Sequence, residues 1–136
     1  YYKGKGNRPQ AGFDLSAVFK GQLKSAKRDF KRTGDQSLEI TDILEFSEQT
    51  KSVTWAMMTQ ADAEIIEGGV LLKQKGKTLK VMIKQPEGVL IMVVSENPPP
   101  LDYDMKVENL KRVEFKFPVE LLKNKGQKIV VELKGP

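Results

Sequence analysis

The chain contains neither histidine nor cysteine. Those two absences exclude a Cys/His zinc site, a cysteine nucleophile, a Ser-His-Asp triad and a histidine general base. Disulfides are excluded as well, although a missing cysteine says nothing of the redox compartment. Long apolar runs are also missing. The longest, Val89 to Val94 and Ile129 to Val131, fall far short of the roughly 20 residues that a membrane-spanning helix requires, and no secretory signal with a basic start and an apolar centre is present. Glycine and proline are too few for a fibrous chain, and apolar residues too many for a disordered one. At 136 residues the chain is long enough for a packed core and short for two domains. It begins Tyr1-Tyr2, without methionine, which suggests a processed protein or a piece of a longer one.

Positive charge is present but uneven. The net charge is +5, yet residues 1–36 hold nine Lys/Arg against three Asp/Glu, leaving fourteen against fifteen in the remainder. A local excess of this kind can attract a polyanion, and it is more often a solvated lysine-rich face. Residues 1–12 combine Lys, Gly, Asn and Pro without apolar periodicity and read as a linker or arm, with the folded region expected over 13–136. Gly4-Lys5-Gly6 is a flexible basic tip, not a phosphate loop, because no helix follows it.

From there on, apolar residues recur with period two, which predicts strands. Gln22 to Arg32 and Leu38 to Ser47 flank Thr33-Gly34-Asp35-Gln36-Ser37, a set of turn residues, and so form a hairpin. Requiring the apolar faces to coincide sets the register, since a slip of one residue would invert every side chain. Phe30 then lies opposite Ile40, Ala26 opposite Leu44 and Arg28 opposite Asp42, a predicted ion pair on an otherwise hydrocarbon face. Ser52 to Thr59 is expected as the next strand, joined through residues 48–51, with Leu44 facing Trp55 and Asp42 facing Met57. Lys75-Gly76 is the loop of a second hairpin, which sets Leu72 against Leu79 and Val70 against Val81. Val89 to Val94, apolar on both faces, reads as a central strand or one that meets another domain. Pro98-Pro99-Pro100 demands a loop between it and the last strands, Arg112 to Phe117 and Lys128 to Lys134.

Eight or nine short antiparallel strands with regular turn signals predict an all-β, two-sheet sandwich. Its expected inward residues are Phe30, Ile40, Leu44, Phe46, Trp55, Leu72, Leu79, Val81, Ile91, Val93, Phe115, Phe117, Val131 and Leu133.

Candidate chemistry is sparse. Arg28 and Asp42 could recognise a ligand, but a structural role is the commoner use of such a pair. Lys27 and Lys31, with Lys24 and Arg32 near the strand ends, form the densest basic patch and suit an acidic polysaccharide. Asp29 interrupts that row and no aromatic residue is interleaved, so nucleic acid is not an expected partner. Nor is a membrane. Trp55 shares a face with Val53 and Met57 and belongs to the core, whereas Tyr103, between Asp102 and Asp104, is better placed to touch a ligand. Asp-Tyr-Asp is too short a signal for a metal site, and no cofactor is expected.

Taken in order, Asp14-Leu15-Ser16, Ala26-Lys27-Arg28-Asp29-Phe30, Ile40-Thr41-Asp42, Val53-Thr54-Trp55-Ala56-Met57-Met58-Thr59 and Gly76-Lys77-Thr78-Leu79 resemble the C-terminal β-sandwich of heparinase II/III-like polysaccharide lyases. The resemblance implies a secreted or periplasmic parent that cleaves acidic polysaccharide by β-elimination, with an α-helical toroid ahead of its β-sheet domains. It also implies that the histidine and tyrosine that move protons lie in that upstream catalytic part. The segment would then serve structure and substrate contact, with no catalytic residue of its own. A stand-alone carbohydrate-binding module is the alternative.

Overall fold

The computed structural model describes residues 1–3, 9–96, 101, 103, 105–124 and 126–136. The chain is all-β and forms two antiparallel sheets, with one short helix among the described residues. The larger sheet runs β1 (Tyr2–Lys3), β2 (Gln10–Asp14), β3 (Leu23–Gly34), β4 (Ser37–Phe46), β11 (Lys128–Lys134), β8 (Lys77–Gln85), β7 (Gly69–Gln74) and β6 (Asp62–Ile66). The smaller one orders β5 (Ser52–Thr59), β10 (Lys111–Pro118) and β9 (Leu90–Ser95). Helix α1 (Val119–Asn124) joins β10 to β11. The layers form a sandwich because each sheet has one apolar face that must leave water.

Both expected hairpins are present with the expected register. Phe30 pairs with Ile40, Ala26 with Leu44 and Arg28 with Asp42. In the second hairpin Leu72 pairs with Leu79 and Val70 with Val81. Its loop residues Lys75 and Gly76 both have positive φ, 50° and 74°, as a two-residue turn matching the twist of the strands requires. All of the residues predicted to face inward belong to the core cluster, which also takes in Leu23, Ala61, Val119, Leu122 and Ile129.

Several elements differ from the sequence reading: eleven strands are described where eight or nine were expected, and β1, β6 and α1 have no counterpart in it. Strand β5 has the expected bounds but lies in the other sheet, so Trp55 pairs with Phe115 and Met57 with Val113, not with Leu44 and Asp42. The free edge of β4 is taken instead by β11, which sets Val131 beside Ile40 and Ile129 beside Asp42. A connection of this length, residues 47–51, can close a hairpin or turn the corner between two sheets, and here it turns the corner. Ser47 Oγ donates to the carbonyl of Gln22 at 3.0 Å, and Thr50 Oγ1 donates to the same oxygen, pinning the connection to the start of β3.

Strand β9 is an edge strand, not a central one. Its inward residues Ile91 and Val93 pack on the core, while Leu90, Met92 and Val94 flank a row of charged side chains on β10. Finally, Gln10, Ala11 and Gly12, which composition places in a linker, are part of β2 and pair with Lys31, Phe30 and Asp29. The loop expected around Pro98-Pro99-Pro100 and the basic tip Gly4-Lys5-Gly6 lie outside the described residues, as do Asp102 and Asp104.

Candidate functional site

The most developed site lies where the two sheets part at one end. Side chains on the inner faces of β3 and β4 meet β5 there, and the turn at residues 15–22 and the corner at residues 48–51 form the rim of a cleft of about 450 Å³. Leu15, Phe19, Leu23, Leu44, Val53 and Ile129 supply apolar walls, Arg28, Asp42 and Trp55 lie at its inner end, and Gln22, Gln49, Thr50, Lys51, Ser52 and Thr54 add polar groups.

The register of β3 against β4 places Arg28 and Asp42 directly opposite each other. The guanidinium binds the carboxylate with both prongs, Nε to Oδ1 at 2.6 Å and Nη2 to Oδ2 at 2.8 Å. The acid is the deeper partner, with 9% of its side chain exposed against 29% for the arginine. Trp55 is packed from the smaller sheet: Phe115 stacks on it at 5.2 Å and 16°, and the Arg28 guanidinium carbon lies 6.0 Å from the ring centroid. The indole Nε1 is buried without a hydrogen-bond partner among the described residues.

The basic patch is dispersed. Lys24, Lys27, Lys31 and Arg32 are all exposed, but register pairs Lys27 with Asp14 on one side, and Lys31 with Glu39 on the other. Asp29 lies between the two lysines and accepts a hydrogen bond from Tyr1 Oη at 2.8 Å. Arg32 falls on the opposite face and closes the β3–β4 turn, donating to the carbonyls of Gly34 and Asp35 at 3.0 and 3.1 Å. The Asp14 carboxyl is held below its ordinary pKa by the hydroxyl and backbone N–H of Ser16, with the charge of Lys27 adding to them. This outer face is therefore a mosaic of both signs, not a continuous cationic track.

Tyr103 is 84% exposed and is not among the residues that line the cleft. No group of three acidic residues suited to a metal occurs among the described residues. No helix among them is long and apolar enough to cross a membrane. The residues that sequence reasoning missed are those of the cleft rim, Leu15, Phe19, Gln49, Thr50 and Lys51. They sit in turns, and only the passage of β5 to the second sheet brings them together.

A second charged cluster lies on the outward face of β10. Arg112 Nε donates to Glu114 Oε1 at 2.6 Å and its Nη1 contacts Glu96, while Lys116 Nζ lies 3.6 Å from Glu114 Oε2. Glu114 is held below its ordinary pKa, first by the hydrogen bond from Arg112 and then by the charges of Arg112 and Lys116, against the opposing effect of burial. A depressed folded-state pKa means stability that is present above the unfolded-state value, about 4.3, and is lost as pH falls through the folded-state value. Glu114→Gln is accordingly expected to lower the thermal midpoint at pH 7 and to have a shrinking effect on acidification. Melting curves of the two proteins between pH 7 and pH 3 check this; a constant difference across that range would contradict it.

Compared with known proteins, the chain matches no family model and no curated protein.

Proposed function

We propose that this chain is a non-catalytic β-sandwich module of a heparinase II/III-like polysaccharide lyase, whose task is to dock against and orient the catalytic part of the same parent. The observation that carries this reading is the unequal size of the two sheets. Three strands cannot cover eight, and one end of the larger sheet's inner face is left open. There Phe13 is 58% exposed, and Phe30, Leu38, Leu79 and Leu133 are only partly buried around an apolar hollow of about 460 Å³. Contiguous exposed apolar surface of this kind suits a neighbouring protein surface. The absence of histidine supports assigning proton transfer to another part of the parent. A lyase needs a group to neutralise the uronate carboxylate, a base for the C5 proton and an acid for the leaving oxygen, and lysine or arginine here supplies at most the first.

The coding sequence upstream of Tyr1 tests the reading. A helical region containing histidine and tyrosine supports it, and a start codon with a secretion signal immediately before Tyr1 overturns it. The alternative, a stand-alone module for acidic polysaccharide, draws on the exposed Lys24, Lys27 and Lys31. Because carboxylates alternate with these lysines, the chain is expected to leave a heparin column at the salt that releases an unrelated protein of equal charge. Retention to clearly higher salt would favour the alternative.

A further inference from the structure

We propose that the cleft between the sheets is a binding site for a small carboxylate carried on an aliphatic body, with Arg28 as the residue that receives the carboxylate. This inference is independent of the lyase reading. It rests on what is left over at Arg28 after Asp42 has been satisfied. A guanidinium has five N–H groups in a fixed fork. Asp42 engages one on Nε and one on Nη2, and Nη1 has no hydrogen-bond partner among the described residues. Arg28 is the partly exposed member of the pair and lines the cleft. It therefore offers an oriented donor edge, already held in place by Asp42, to an acceptor that enters the cleft.

The chemistry of that acceptor follows from the lining. Arg28 and Lys51 are set against one carboxylate, Asp42, so an anion is favoured over a cation. Leu15, Phe19, Leu23, Leu44 and Val53 give the cleft a hydrocarbon side, which favours an aliphatic body, while Gln22, Gln49, Thr50, Ser52 and Thr54 make the rest of its lining polar. A sugar ring is disfavoured for a specific reason. Trp55 is the only tryptophan in the chain, and with Phe115 stacked on it and Arg28 over it the residue is 3% exposed. No open indole face remains for a pyranose to stack on. The cleft volume, about 450 Å³, falls in the range of small-molecule sites, roughly 300–1,000 Å³.

The single tryptophan also makes the test direct. The full chain is titrated separately with octanoate, octanol and glucuronate, following Trp55 fluorescence and its indole N–H resonance. Octanoate is expected to shift both signals saturably, octanol to need about tenfold or more concentration, as loss of a charge-assisted bond implies, and glucuronate to leave them unchanged. Because Arg28 variants also disturb folding, the exposed rim residue Lys51 provides the second arm. Lys51→Glu is expected to weaken octanoate severalfold at low salt and to leave octanol unchanged. Octanol binding as tightly as octanoate, no saturable change with octanoate, a preference for glucuronate, or octanoate affinity indifferent to Lys51→Glu would each overturn the proposal.

Discussion

Arg28→Met is expected to destabilise the chain by about 3–5 kcal/mol, and Asp42→Asn by clearly less, about 1–2 kcal/mol. The asymmetry comes from depth. The Asp42 carboxylate is the more buried partner, and both hydrogen bonds to it come from Arg28. Removing the arginine leaves a buried anion with neither donor, and takes away the cation over Trp55 as well. Removing the acid's charge leaves a guanidinium that reaches the cleft and can be hydrated there, opposite an amide oxygen that still accepts. Arg28→Met combined with Asp42→Leu should recover most of the loss, because no charge is then stranded. Urea unfolding of the two single variants and the double variant gives the coupling energy directly. Losses below about 1 kcal/mol for both single changes, or a larger loss for Asp42→Asn, would contradict the geometry.

Phe115→Ala should have an effect of similar size, about 3–5 kcal/mol, for a different reason. Phe115 is fully buried in the middle strand of the smaller sheet, between Trp55 and Ile91 in register. Its ring stacks on the indole at 5.2 Å, so truncation opens a cavity and removes an aromatic contact together. Since folded proteins of this size are typically stable by only about 5–15 kcal/mol, the variant should sit near the limit of folding at 37 °C. Phe13→Ala is the informative contrast. Phe13 touches Phe30 edge-on, with centroids 6.0 Å apart, but lies largely in water, so its loss should be about 1 kcal/mol or less. Thermal and urea melts of the two variants would show the difference, and equal effects would mean that the smaller sheet does not carry the core.

The contrast also marks what could be read from the residues alone. Period-two alternation in β3 and β4, with their apolar faces required to coincide, left one register for the first hairpin, and Arg28 opposite Asp42 followed from it before any coordinates. The Lys75-Gly76 turn was legible too, because its positive φ angles need residues that tolerate them. Sheet membership was not legible. Residues 48–51 suit a hairpin as well as a corner, and what decides between them is the competition of β11 for the edge of β4, a contact some ninety residues along the chain. The two-faced apolarity of β9 pointed to a central position for a similar reason. Its outward residues cover the Arg112–Glu114 cluster, which lies on a strand that follows the loop. Helix α1 has six residues, too short for a 3.6-residue period to register. The cleft is the sum of these misses. Arg28, Asp42 and Trp55 were each singled out by sequence, but the turns that wall them in become neighbours only once β5 crosses to the second sheet.

The central proposal is that this chain contributes structure and contact to a polysaccharide lyase and that the proton transfers take place elsewhere in the parent. The most direct measurement is the ultraviolet absorbance of unsaturated uronate when the purified chain is incubated with heparin, heparan sulfate, alginate and other acidic polysaccharides. The account predicts no increase above buffer for any of them. Unsaturated product formed by the isolated chain, at a rate abolished by Tyr103→Phe, would contradict it.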